Sequence, residues 1–256
     1  MTTIASVVVG GGGFRDPMAQ VSRMKFAAQI AAYCRGRGAE IALLPAGYLL
    51  SADAKENPRD SAEALAKAFS GLCLIAGVDS ANAKKLGSSK AQNGKSLDKW
   101  TRNESLPFWA FASDSSGTVL TFFRQRSTTS SNGAVAGQPS QAEQQHRTVK
   151  LAGLKCYLLA CGELFNPFLR PLLEKERGFS LIAHLAHQGL GRTFPKTFPA
   201  LANATGAWVI NAQHTWSGEC WAAAPGKKAQ RIPGNLIDAA PNPTGEWARV
   251  AFWDVP

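Results

Sequence analysis

Short apolar runs alternate with amphipathic segments along the first third of the chain. A run of β-branched residues before glycines 10–13 is typical of a buried strand, and apolar side chains at helical spacing follow Asp16 and Pro17, which can start a helix. The glycines match no phosphate-binding motif. The pattern predicts strands at 4–9, 40–44 and 72–78 and helices at 16–33 and 60–71.

The middle and the end of the chain add antiparallel pairing to this alternation. Residues 106–112 and 118–123 predict a hairpin, and the polar stretch 127–145 predicts a long surface loop of the kind that often forms a lid. Further strands are expected at 148–151, 154–160, 179–186 and 207–212, with helices at 168–175 and 194–205 and short strands in the tail. Two sheets covered by helices fit this order.

One predicted strand ends in a thiol. The apolar run through Ala160 stops at Cys161, and Gly162 is expected to permit the tight turn that leaves Cys161 exposed. Pro167 then lies near the start of the helix at 168–175. Strand, thiol and helix in this order are how a chain presents a nucleophile.

Length and composition favour one globular domain spanning residues 1–256, since 45% of the residues are hydrophobic. No apolar stretch is long enough to span a bilayer, and residues 1–3 do not resemble the basic start of a signal peptide. We therefore expect a cytoplasmic protein without membrane contact.

The cysteines and histidines indicate neither a disulfide framework nor a metal site. The total of five cysteines is odd, they form no Cys-x-x-Cys pair, and the four histidines have no zinc-ligand spacing with them. We expect reduced thiols, no metal and no cofactor. The cysteines are Cys34, Cys73, Cys156, Cys161 and Cys220.

The formal net charge of +10 could attract nucleic acid or an acidic partner. Much of the excess lies in a polar stretch that is poor in aromatic residues, which favours a solvated loop over a nucleic-acid site. Its basic residues are Lys84, Lys85, Lys90, Lys95, Lys99 and Arg102.

Three segments resemble the nitrilase, or carbon-nitrogen hydrolase, superfamily: residues 43–48 (LLPAGY), 117–125 (GTVLTFFRQ) and 158–163 (LLACGE). The resemblance implies an α/β fold arranged as a four-layer αββα sandwich, and a homo-oligomer. It also implies hydrolysis of a small-molecule amide or nitrile without a cofactor, through a triad of glutamate, lysine and cysteine.

Carried over to this chain, the resemblance makes Cys161 the candidate nucleophile. The glutamate position, however, holds Ala46, which cannot move a proton. The lysine position falls at about Gln125, and a shift of the alignment by one residue would place Arg124 or Arg126 there instead. General-base assistance is worth about 10²–10⁴ in rate, so both losses need a replacement. The arginines are pocket candidates but poor proton shuttles.

Glu163, His184 and His187 are the candidate replacements, because Glu163 is close to Cys161 in sequence and the histidines end the next strand. Each also has a plain structural interpretation, as an acid that orients the turn or as a wall residue. The sequence therefore leaves open a divergent hydrolase acting through Cys161 and a catalytically degenerate binding or assembly module; nucleic-acid binding rests on charge alone.

Overall fold

The computed structural model describes most of the chain outside its long polar loops. The described residues are 1–11, 20–51, 57–80, 108–126, 145–166, 169–187, 194–214, 219–238 and 245–256. The helical start at Asp16 and Pro17, most of the basic stretch and loop residues 127–144 lie outside these ranges.

Strands and helices alternate along the described chain. In chain order they are β1 (Thr2–Gly10), α1 (Gln20–Gly36), β2 (Ile41–Leu43), β3 (Leu49–Leu50), α2 (Pro58–Ala68), β4 (Cys73–Asp79), β5 (Phe108–Ser113), β6 (Val119–Arg124), β7 (Thr148–Leu151), β8 (Leu154–Ala160), a 3-10 helix (Cys161–Phe165), α3 (Leu169–Lys175), β9 (Leu181–Ala186), α4 (Phe194–Thr205), β10 (Trp208–His214), β11 (Cys220–Ala223), β12 (Gln230–Ile232), β13 (Asn235–Asp238) and β14 (Trp247–Val255).

The strands form two sheet halves that meet along β1 and β10. The strand order is β6-β5-β4-β2-β1 in the first half and β10-β9-β8-β7 in the second. Val8 and Val9 of β1 pair in parallel with Gln213 and His214 of β10, which joins the halves. Strands β4, β2, β1, β10, β9 and β8 are parallel to their neighbours in this order, so their carboxyl ends lie at a common edge.

Three apolar layers show how the halves pack. A central layer includes Ile4 and Ile75 of the first half with Leu158 and Leu185 of the second, so the sheets face each other. A second layer packs α1 and α2 on the first sheet, and a third packs α3 and α4 on the second. The chain is therefore an αββα sandwich, as expected.

Alternation along the strands determines which side chains reach the site. In β4, Cys73 and Ile75 face the central layer, and the same parity points Asp79 inward at the end of the strand. In β9, Leu181 and Leu185 face the central layer, and His187 has the same parity one residue beyond the strand. Both side chains therefore enter the space between the sheets at one edge.

Most predicted elements are confirmed, with ends that differ by a few residues. The hairpin of β5 and β6 and the segment of α4 lie where the pattern predicts them. The short strand β3 was not predicted, since it follows a proline and a glycine that end the previous strand. Among the described helices, none is long and apolar enough to cross a membrane.

Candidate active site

Cys161 lies at the first residue of the 3-10 helix that follows β8. Its φ of 43° is in the left-handed region, which a non-glycine residue adopts only when its surroundings hold it there. Gly162 was expected to make the turn, but Cys161 itself carries the positive φ. Cys161 is partly exposed, whereas the other four cysteines are buried.

Glu163 holds this turn from within. Its carboxylate accepts hydrogen bonds from the backbone N–H of Ala160 at 2.9 Å and of Arg126 at 2.7 Å. It also pairs with the buried guanidinium of Arg147, at 2.5 and 2.9 Å, which stacks over the Phe123 ring. These contacts correspond to the structural interpretation of Glu163, in which the acid orients the turn. Arg126 contacts Glu163 through its backbone N–H.

His187 and Asp79 form a buried pair beside Cys161. Nε2 of His187 lies 3.0 Å from Oδ1 of Asp79, and the imidazole packs against the Phe108 ring at 4.4 Å between centroids. Asp79 is 1% exposed and His187 is 5% exposed. The imidazole of His187 also neighbours the thiol of Cys161 and acts on its pKa, so Asp79, His187 and Cys161 follow one another across the site.

The pKa values follow from these contacts. Burial by itself raises the pKa of Cys161, but the hydrogen bond and the charge of His187 outweigh it and lower the pKa below the ordinary value for a thiol. Burial by itself lowers the pKa of His187, but Asp79, and after it Cys161, raise it to about 9. The buried thiols of Cys34, Cys156 and Cys220 have pKa values raised to about 12. The site therefore favours a thiolate facing an imidazolium.

His184 lies on the opposite face of β9 and supports the turn. Its Nε2 is 2.9 Å from the carbonyl oxygen of Cys161, its Nδ1 is 2.8 Å from the amide of Asn211, and its ring packs on Phe198 of α4. Burial lowers the pKa of His184, which keeps the imidazole neutral. A neutral ring donates from Nε2 to the carbonyl and accepts at Nδ1, which requires the amide of Asn211 to turn its N–H group toward the ring. His184 thus contacts the backbone of Cys161, whereas His187 contacts its thiol.

The two positions at which the resemblance predicts a missing acid and a missing lysine are both buried. Ala46 lies in the central layer, and the backbone N–H of Gln125 donates to the carbonyl of Phe108 at 2.9 Å. Arg124 points the other way, exposed, with its guanidinium 4.4 Å from the Trp109 ring centroid. Of the residues predicted for the site, His187 lies beside the thiol, whereas Arg124 lies on the outer face of the sheet.

Asp79 was not predicted, although its signal is present in the sequence. It ends a predicted buried strand, and counting alternate residues from Ile75 gives it the inward-facing parity. What the sequence could not give is the distance to His187, since the two residues lie on different sheets. Across the described ranges, no group of three or more histidine, cysteine, aspartate or glutamate residues is arranged to hold a metal ion.

Solved structures with this fold include amidases of Nesterenkonia sp. AN1. One is the NitN amidase, with a TM-score of 0.63 and 16% identity over 100% of this chain and 93% of that chain. A glutamate-to-glutamine variant carries acrylamide added at its active-site cysteine, with a TM-score of 0.63 and 16% identity over 100% of this chain and 94% of that one.

A cysteine-to-alanine variant of that amidase, assigned to the nitrilase superfamily, has a TM-score of 0.61 and 15% identity over 98% of this chain and 90% of that chain. At this identity the likeness establishes a nitrilase-like fold. The sequence matches no protein-family model and no curated protein.

Proposed function

We propose that this chain is a carbon-nitrogen hydrolase that attacks an amide carbon through Cys161. The observation that carries the proposal is the placement of Cys161, a partly exposed residue at the turn after β8, beside the buried His187–Asp79 pair, which lowers the pKa of its thiol. A fold shared with amidases that use an active-site cysteine supports it. Thiolates are strong nucleophiles near neutral pH, which suits them to attack on an amide.

In the first half of the reaction the thiolate of Cys161 attacks the amide carbonyl carbon. The carbon–oxygen π pair moves to oxygen, which makes a tetrahedral intermediate. When the carbonyl re-forms, the carbon–nitrogen bond breaks and the imidazolium of His187 gives its proton to the departing nitrogen. The products are an amine or ammonia, a thioester on Cys161 and a neutral His187.

In the second half, water hydrolyses the thioester. Neutral His187 takes a proton from water as its oxygen attacks the thioester carbon, and the carbon–sulfur bond then breaks. The carboxylic acid leaves, and the thiolate and imidazolium are restored together. A nitrile would react at the same sulfur, with the proton of His187 going to the nitrile nitrogen as the thioimidate forms.

We expect the protein to release ammonia or amine from members of a panel of short amides and nitriles. Mass spectrometry of acid-quenched reactions should detect an acyl group on Cys161. Cys161→Ala should lose at least about 10³-fold in turnover, since a nucleophile has no substitute in this chemistry. Cys34→Ala, which removes a buried thiol, is the matched control and should retain activity. No turnover and no acyl adduct across the panel would contradict the proposal.

A second candidate is a non-catalytic binding module, which the substitutions at Ala46 and Gln125 favour. It predicts that amides raise the melting temperature without being hydrolysed, by an amount that grows with ligand concentration. It also predicts that iodoacetamide modifies Cys161 no faster than Cys34. The homo-oligomer expected from the resemblance stays a prediction, which light scattering on the purified chain can check.

A further inference from the structure

We infer that Asp79 and His187 activate the thiol of Cys161, in place of the glutamate and lysine absent at positions 46 and 125. His187 is the catalytic residue that exchanges protons, and Asp79 is a positioning residue that acts through it. The inference rests on the proposed function for its role in turnover, but its effect on the thiol can be measured without any substrate.

The first step of the argument is the geometry of the imidazole. Asp79 Oδ1 engages Nε2 of His187 at 3.0 Å, which leaves Nδ1 as the ring nitrogen available to the thiol. The Phe108 ring packs on the imidazole and restricts its rotation. A buried carboxylate on one nitrogen and a nucleophile on the other is the arrangement in which an imidazole moves protons to and from a nucleophile.

The second step is the isolation of the carboxylate. Asp79 is 1% exposed, and its Oδ2 has no hydrogen-bond partner among the described residues. A buried carboxylate needs a counter-charge, and within the described part of the chain His187 is its ion-pair partner. The geometry therefore favours a protonated imidazole at neutral pH.

The third step is the space beside position 46. A Cβ on Gly47 would lie 2.5 Å from Oδ2 of Asp79, and one on Gly77 would lie 2.5 Å from the Cα of Ala46. The segment that carries Ala46 therefore runs directly against β4, and the Asp79 carboxylate fills the volume next to it. A carboxylate is thus supplied to this region by β4 instead of by the residue after Pro45.

The remaining charged groups near the thiol do not substitute for this pair. Arg147 and Glu163 neutralise each other in a buried ion pair, and His184 is held neutral with its Nε2 on the carbonyl of Cys161. Gln125 carries no charge. His187 is therefore the cation that the described contacts direct at the sulfur.

The test is the pH dependence of Cys161 alkylation by iodoacetamide, followed by mass spectrometry of the modified peptide. In Asp79→Asn the imidazole loses its counter-charge and becomes neutral, so the inflection of the alkylation rate should rise by about one pH unit. At a pH below both inflections the rate should then fall about tenfold. If Asp79 were only a negative neighbour of the thiolate, its removal would lower the inflection and speed alkylation. That result, or no change, would overturn the inference.

A double-mutant comparison separates the indirect effect of Asp79 from its direct one. His187→Gln should raise the inflection by itself, since the cation is removed. In the His187→Gln background, Asp79→Asn should lower the inflection or leave it unchanged, because only its direct repulsion of the thiolate remains. An equal upward shift in both backgrounds would show that Asp79 does not act through His187.

Matched controls and the fold are checked in the same experiment. Asp254→Asn and His146→Gln change exposed residues of the same types and should leave the inflection unchanged. Circular dichroism checks that each variant is folded. If Asp79→Asn does not fold, the upward shift expected in His187→Gln is the remaining test of the inference. If the alkylation inflections shift as expected but no amide is hydrolysed, the role of Asp79 and His187 in activating the thiol stands and the proposed function is rejected.

Discussion

The thiol of Cys161 differs from the other cysteine thiols through its neighbours. Burial raises the pKa of Cys34, Cys156 and Cys220 to about 12, so these thiols stay protonated and inert. At Cys161 the imidazole of His187 reverses that direction. A left-handed backbone at Cys161 holds the sulfur at this position, and the strain is maintained by the surrounding contacts.

Gly47 is a residue whose missing side chain supports the site. Gly47→Ala would add a Cβ 2.5 Å from Oδ2 of Asp79 at a φ of +62°, so the carboxylate must shift, which disturbs its hydrogen bond with His187. We expect alkylation of Cys161 at pH 7 to fall about fivefold or more, with a loss of about 1–3 kcal/mol in unfolding free energy. Alkylation kinetics and urea unfolding measure the two effects.

Gly38→Ala is the matched control for this change. Its φ is +76°, but a Cβ there would meet nothing within 4 Å. It should therefore carry the backbone strain without disturbing Asp79, and alkylation should match that of the unsubstituted protein. Equal losses of alkylation in both variants would mean that the carboxylate contact does not matter.

At the scale of elements, the turn after β8 is held by an ion pair that links separate segments. Arg147 precedes β7, its carbonyl accepts from Leu158 of β8 at 2.9 Å, and its guanidinium reaches Glu163 in the 3-10 helix. Glu163 in turn receives the backbone N–H of Arg126 after β6. The turn that carries Cys161 is thus linked by hydrogen bonds to the ends of β6, β7 and β8.

Arg147→Met tests how much this ion pair contributes. It would leave the Glu163 carboxylate buried without its counter-charge, since both side chains are 1% exposed or less. We expect a loss of about 3–5 kcal/mol in the free energy of unfolding, measured in urea, and slower alkylation of Cys161. Arg59→Met, which breaks an exposed pair with Glu63, should cost less than about 1 kcal/mol. Similar losses for both would contradict a structural role for the buried pair.

At the scale of the whole molecule, the site exists because two sheets pack face to face. Asp79 comes from β4 of the first half, and Cys161 and His187 follow β8 and β9 of the second. The parallel strands bring their carboxyl ends to one edge, and the central apolar layer sets how closely the halves approach. Protonation of His187 should therefore be linked to folding.

The pH dependence of stability checks this linkage. Asp79, together with Cys161, raises the pKa of His187 to about 9, above its ordinary 6.5, so the stability from this proton is full below pH 6.5 and is lost as pH rises through 9. Because the thiolate contributes with the opposite sign, the measurement uses Cys161→Ala. In that variant Asp79 alone holds the pKa of His187 above its ordinary value, so the unfolding free energy should fall as pH rises above 6.5, by less than about 3 kcal/mol. The Cys161→Ala, His187→Gln double variant should show no such fall; equal slopes would contradict the linkage.

Local chemistry in the sequence determined the elements and the place of the nucleophile. Apolar period and turn residues predict β1, the hairpin of β5 and β6, β8 and α4, because these patterns act over a few neighbouring residues. The same patterns locate Cys161 at the end of a strand. The resemblance to the nitrilase superfamily, carried by three short segments, predicts that positions 46 and 125 lack an acid and a lysine.

Only the tertiary structure decided which residues accompany the thiol. His184 and His187 are close in sequence and were equal candidates, but the pleat of β9 and the packing of the sheets send one to α4 and the other to Asp79. Asp79 and His187 are 108 residues apart in the chain, so no local pattern relates them. Their meeting depends on the packing of the two sheets, which is a property of the whole fold.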